Sequence, residues 1–159
     1  LYGTTLGYTH AGLFYTISAV SMIIIRMISK HFMDTVPAIK TMTGAVACGI
    51  LCCLMLLAAP YGEPVFLASG IFYGLATGIS LPLNQSVAVK NTPPERWGAA
   101  NALFLLANDI GIGFASVIWG VINDSFGFQT SIVCVIVCLI ASYASAWIVY
   151  PARDKRWRH

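Results

Sequence analysis

Asp109 is the residue whose position most directly suggests chemistry, because it lies near the middle of a long apolar stretch. A charged Asp at mid-membrane depth costs about 2.5–3.5 kcal/mol even on lenient insertion scales. We therefore expect this carboxyl group to face protein or water, and to be partnered or protonated. Two interpretations stay open: a site that exchanges protons or binds a cation, and a carboxylate that hydroxyls or amides of a neighbouring helix hold for packing.

Polar residues also follow one face of the preceding apolar stretch. At about 100° per residue, five of them fall within an arc of roughly 80°: Ser69, Tyr73, Thr77, Ser80 and Asn84. Beside them, Gly70, Gly74 and Gly78 form a ridge of small residues that would let a neighbouring helix approach closely. The hydroxyls could instead bond back to carbonyls of their own helix, but five polar residues in register favour a face toward water or a solute.

The stretch around Asp109 has a similar polar side, where Asn101, Asn108 and Ser116 share an arc of about 100° with the carboxylate. A weaker polar face runs along the first apolar stretch and includes Ser18, while His10 is expected at the outer boundary. The candidates for a solute path are therefore Ser18, Ser69, Tyr73, Thr77, Ser80, Asn84, Asn101 and Asn108.

The elements that position these residues are predicted to be membrane-spanning helices. Hydrophobic residues make up 58% of the chain and charged residues 9%, whereas a soluble domain carries about 25% charged residues. Five apolar stretches have the roughly 20 residues needed to cross a bilayer: 8–28, 36–59, 65–89, 98–122 and 128–150. The sequence thus predicts an all-α membrane protein, with one transmembrane domain over residues 1–159.

The basic residues predict the orientation of these spans. If the five spans alternate, all nine Lys and Arg fall on one side, which the positive-inside rule makes cytoplasmic. Only Glu63 and Asp124 are charged on the other side. We therefore expect the start of the chain outside and its basic C-terminal tail inside, near anionic lipid headgroups rather than nucleic acid.

Other kinds of chemistry find little support. The five cysteines all lie inside predicted spans, where they act as small apolar residues, and their spacing is not that of a zinc site. No His-rich motif, Gly-x-Ser-x-Gly or paired carboxylate occurs at membrane depth. We expect neither an enzyme nor a bound metal or cofactor.

Residues 93–101 read Pro-Pro-Glu-Arg-Trp-Gly-Ala-Ala-Asn, and a polar, glycine-rich stretch follows at 108–113. This pattern resembles the loop between the tenth and eleventh helices, and the eleventh helix, of bacterial drug and sugar efflux permeases of the major facilitator superfamily. The loop after the first span resembles a cytoplasmic signature of that family, although Lys30 stands where a glycine is expected. The residues that carry this cytoplasmic-loop motif are Arg26, Asp34, Arg96 and Gly98.

The resemblance implies that the chain is a fragment, helices eight to twelve of the six-helix C-terminal bundle. The first, third and fourth spans would border a central cavity, and the second and fifth would be peripheral. It further implies alternating access, in which an N-terminal half of the same transporter rocks against this one. Proton-coupled efflux of a small molecule across the bacterial inner membrane is the expected function. The alternative is a membrane assembly or sensor subunit that transports nothing, whose polar faces partner helices would cover.

Overall fold

The computed structural model describes residues 2–90 and 92–149, apart from the side chains of 30–35, 148 and 149. Regular structure in these ranges is helical: α1 (Tyr2–Thr5), α2 (Leu13–Thr35), α3 (Ala38–Leu57), α4 (Glu63–Lys90) and α5 (Trp97–Val149), with 3-10 turns at Ala59–Tyr61 and Pro94–Arg96. Three segments are long and apolar enough to cross a membrane, and α2 has a shorter apolar section. The prediction of an all-α membrane protein is confirmed.

Local sequence explains where these helices begin and end. Pro37 precedes α3 in an extended conformation, which suits a residue that cannot donate a backbone hydrogen bond. Glu63 opens α4 and Lys90 closes it, so both charges match the helix dipole. The first span differs from its prediction, because α2 begins at Leu13 after a turn at Gly7, whose φ is 76°.

Gly127 divides α5 into two arms, residues 97–126 and 128–149. Its φ of 81° and ψ of 169° are not helical, and glycine reaches a positive φ without steric cost. The break falls at the end of the loop predicted at residues 123–127. We refer to the two parts as the first arm and the second arm.

The chain turns back between the two arms. The first arm starts beside the end of α4, where Gln85 bonds to Asn101. The second arm runs antiparallel to α3, because Leu139 lies against Gly49 and the Tyr143 hydroxyl bonds to Thr43 at 2.8 Å. Both arms therefore meet the end of the bundle where α3 begins and α4 finishes. We call this the basic end, since Lys40, Lys90 and Arg96 lie there.

The glycine ridge of α4 packs directly on α2, as its spacing predicts. A Cβ on Gly70 would lie 3.0 Å from the carbonyl oxygen of Phe14, and one on Gly74 would lie 2.7 Å from Cβ of Ser21. Backbones this close leave no room for a side chain. The two helices run parallel in contact through glycine, the geometry that small-xxx-small motifs allow.

The remaining helices pack unevenly. α3 lies between α4 and the second arm, and a small core joins them: Met42, Val46, Leu83 and Ala146. The first arm buries far less, and a Cβ on Gly111, Gly113 or Gly120 would meet no atom within 4 Å. Its large apolar side chains, such as Ile112 and Phe114, stay exposed. This arm offers a surface suited to lipid or further helices.

Candidate functional site

The last turns of α4 and the start of the first arm are joined by polar side chains at the basic end. There the side-chain amide of Gln85 donates to Oδ1 of Asn101 at 2.5 Å. Pro82 lies inside α4 one turn earlier, where its ring removes a backbone donor. Gln85 is absent from the sequence-based candidates, although an amide within an apolar span beside Asn84 was a signal that could have found it. The site therefore includes an amide pair that links two helices.

The α4 polar face is not one continuous open surface. Ser69 is 0% exposed, and its hydroxyl donates to the carbonyl of Phe66 at 2.6 Å. Tyr73 is 46% exposed, whereas Thr77, Ser80 and Asn84 are half-buried. Thr77 donates back to the carbonyl of Tyr73 at 2.8 Å. This face is therefore closed at Ser69, near the start of α4, and partly open further along.

Ser18 on α2 is buried in the same way as Ser69. It is 5% exposed and donates to the carbonyl of Phe14 at 2.6 Å, within the interface that holds the glycine ridge. Short side chains let the helices approach, and bonds to their own helix satisfy the hydroxyls. Ser18 and Ser69 thus line no open surface in this structure.

On the first arm, Asn101 and Asn108 are half-buried and Asp109 is exposed. Ser116 bonds to a carbonyl of its own helix, that of Gly113, at 2.8 Å. Within the described residues, no hydrogen bond or ion pair joins Asp109 to another side chain. The helices described here do not supply the hydroxyl or amide partner that the packing interpretation of Asp109 requires.

Within the described part of the chain, no ion pair or side-chain hydrogen bond joins the residues of the cytoplasmic-loop motif to one another. Arg26 is exposed on α2, and Arg96 and Gly98 are exposed at the start of α5. Neither guanidinium forms an ion pair with a described carboxylate. The side chain of Asp34 lies outside the described residues, so its relation to Arg26 stays a prediction.

The opposite end is tied together by the start of the chain. The Tyr8 hydroxyl donates to the carbonyl of Ala59, and the His10 backbone donates to Oε1 of Glu63 at 3.0 Å. Nδ1 of His10 lies 3.6 Å from the same oxygen. Within the described part of the chain, no group of three or more His, Cys, Asp or Glu is arranged to hold a metal ion.

Comparison with known proteins adds two matches to this geometry. The family model described as Major Facilitator Superfamily matches residues 1–159. The staphylopine export protein of Staphylococcus aureus (strain Mu50) is 26% identical over 159 residues, an alignment that covers 96% of this chain. The chain spans 40% of the length of that curated relative. No solved structure gives a significant match.

Proposed function

We propose that this chain, which belongs to the major facilitator superfamily, forms one wall of a path by which a small solute leaves the cell. The observation that carries the proposal is the pair of polar faces on α4 and the first arm, set within apolar helices and joined by Gln85 and Asn101. The name of the curated relative, an export protein, supports outward transport.

The path residues of this proposal are those that stay at least partly accessible: Tyr73, Thr77, Ser80, Asn84, Asn101 and Asn108. Ser18 and Ser69 are assigned to helix packing, because both are buried and both hydroxyls bond to carbonyls of their own helices. All six path side chains are neutral, which favours an uncharged or amphipathic solute. Their hydroxyl and amide groups would replace part of the water that the solute loses on entering the membrane.

The proposed mechanism is alternating access, with a second half of the same transporter packed against the exposed first arm. Pro82 leaves the carbonyl of Gly78 without its helical donor, so the end of α4 can bend there. Such a bend would carry Gln85 away from Asn101. The amide pair would then open and close the basic end of the path.

Asp109 is the proposed site of proton coupling. It has no partner among the described side chains, and an unpaired carboxylate at mid-membrane is costly when charged. Taking up a proton from one face and releasing it to the other would link its charge to the solute cycle. A sensor or assembly subunit, the alternative function, would not need Asp109 to gain and lose a proton.

The proposed orientation puts the basic end in the cytoplasm, in the inner membrane of a bacterium. Lys40, Lys90 and Arg96 come from three separate segments and still lie at one end of the bundle, while Glu63 lies at the other. This distribution follows the positive-inside rule.

Cysteine accessibility tests the path. In a cysteine-free variant of the complete transporter, Tyr73→Cys should react with a hydrophilic thiol reagent, because the reactive thiolate forms only in contact with water. Ile71→Cys is the matched control: Ile71 is 44% exposed in the structure, against 46% for Tyr73, but lies off the polar face. We expect at least tenfold faster modification of Tyr73→Cys. Equal rates at the two positions would show that the polar face does not line water and would favour the subunit without transport.

A further inference from the structure

A groove of about 420 Å³ opens between the end of α4 and the start of the first arm. Four of its eight lining residues are alanines, at positions 88, 99, 100 and 107, and two are the larger apolar residues Leu103 and Phe104. Thr92 and Arg96 add one hydroxyl and one cation. The groove lies at the basic end, where the end of α4, the loop that follows it and the start of the first arm meet. It plays no part in the solute path proposed above.

The cation of this groove has no counter-ion in the described structure. Arg96 sits in the 3-10 turn Pro94–Arg96, is exposed, and pairs with no described carboxylate. Thr92 donates its only hydroxyl proton to the carbonyl of Ala88 at 3.1 Å, so it has no donor left for an anion and the guanidinium of Arg96 must supply the donors. An occupant that satisfies the groove must therefore combine an anionic group with an apolar part.

The neighbouring Trp97 marks the depth of the groove. Its indole nitrogen donates to the carbonyl of Thr92 at 3.0 Å, and its ring is 49% exposed. Tryptophan in this half-exposed position is typical of the boundary between headgroups and acyl chains. Arg96 therefore lies at headgroup level, and Ala99, Ala100 and Ala107, one to three turns further along the first arm, lie at the level of acyl chains.

From this charge and depth we infer that the groove binds one anionic phospholipid, with its phosphate on Arg96 and an acyl chain along the alanine walls. A guanidinium can hold a phosphate through two parallel hydrogen bonds. The small methyl groups leave the volume that an acyl chain fills. A packed helix would also fit alanines, but it would leave Arg96 facing an apolar surface unless it brought its own anion.

The lipid would lie directly behind the amide pair, because Asn101 follows Ala99 and Ala100 on the same helix. A chain in the groove would hold the first arm and the end of α4 at a fixed separation. This role rests on the proposed transport function, whereas the binding itself does not.

Native mass spectrometry of the complete transporter in detergent tests the site, with phosphatidylglycerol and phosphatidylcholine added in turn. Loss of one cation near a lipid headgroup weakens binding by about fivefold. Arg96→Gln should weaken phosphatidylglycerol binding by that factor. It should weaken phosphatidylcholine binding less, because the choline group offsets the charge of its phosphate. Lys40→Gln is the matched control, because Lys40 is an exposed cation at the same end that does not line the groove.

A second pair of variants tests the groove itself. Ala99→Leu fills it and should reduce retention of phosphatidylglycerol, whereas Ala102→Leu, on the same helix outside the groove, should not. Equal losses from Arg96→Gln and Lys40→Gln would show only a general attraction to positive charge and would overturn the proposal. Normal lipid retention by a folded Ala99→Leu variant would also overturn it, since another part of the transporter would then occupy the groove. Failure of transport alone would leave these binding results unchanged.

Discussion

Replacing Gly74 by alanine should destabilise the contact between α2 and α4. The added Cβ would lie 2.7 Å from Cβ of Ser21 and 3.0 Å from the backbone nitrogen of Met22. Neither atom is the far end of a flexible side chain, so the helices themselves must separate. Overpacking of this kind costs about 1–3 kcal/mol, against a gain in helix propensity of about 1 kcal/mol for Gly→Ala. We therefore expect a net loss of up to about 2 kcal/mol in the free energy of unfolding.

Gly44→Ala is the matched control for this measurement. It makes the same chemical change within a predicted span, but a Cβ on Gly44 would meet no atom within 4 Å. The propensity gain should then act alone and stabilise the helix by up to about 1 kcal/mol. Reversible unfolding of the complete transporter in mixed micelles, followed by circular dichroism, would give both values. Equal changes for the two variants would show that the close approach of α2 and α4 is wrong.

Three further predictions concern the path and its orientation. Asp109→Asn should abolish uphill, proton-driven transport while solute binding and downhill exchange persist; normal pH-dependent transport by a well-expressed variant would remove Asp109 from the mechanism. Gln85→Ala and Asn101→Ala should be non-additive in a double-mutant cycle, with a coupling of about 0.6 kcal/mol and at most about 1.7 kcal/mol; strictly additive losses would mean that the amide bond does not form. In a cysteine-free background, Gly62→Cys should label from outside the cell and Lys155→Cys only after permeabilisation, and the reverse pattern would contradict the proposed orientation.

The sequence predicts the helical architecture well because hydropathy and small-residue spacing act locally. The glycine ridge at Gly70, Gly74 and Gly78 could be recognised from spacing alone, since few other arrangements use glycine every fourth residue in an apolar helix. The turn at Gly127 falls where polar residues and glycine interrupt apolar sequence. The predicted span 8–28 and the helix α2 overlap but differ in their ends, because hydropathy does not fix the residue at which a helix begins.

The surroundings of the polar residues were harder to predict. Helical periodicity places Ser69 and Tyr73 on one face, but it does not say which neighbouring helix covers part of that face. In the structure Ser69 is completely buried, whereas Tyr73 is half exposed. The Gln85–Asn101 pair likewise depends on how two helices approach, which no single-helix projection contains. Predicting such contacts requires the positions of whole helices.

The turn at Gly127 has a consequence for how the chain is accommodated by lipid. An uninterrupted helix of 53 residues would be about 80 Å long at 1.5 Å per residue, more than twice the thickness of a hydrocarbon core of about 30 Å. A straight rod of that length would push the apolar second arm out into water. The thickness of the hydrocarbon core therefore favours a reversal of chain direction whatever residue stands at the turn. Gly127 determines at which residue that reversal occurs. Moving this glycine by one helical turn should shift both arms in depth by about 5.4 Å, and so shift Asp109 relative to the bilayer midplane.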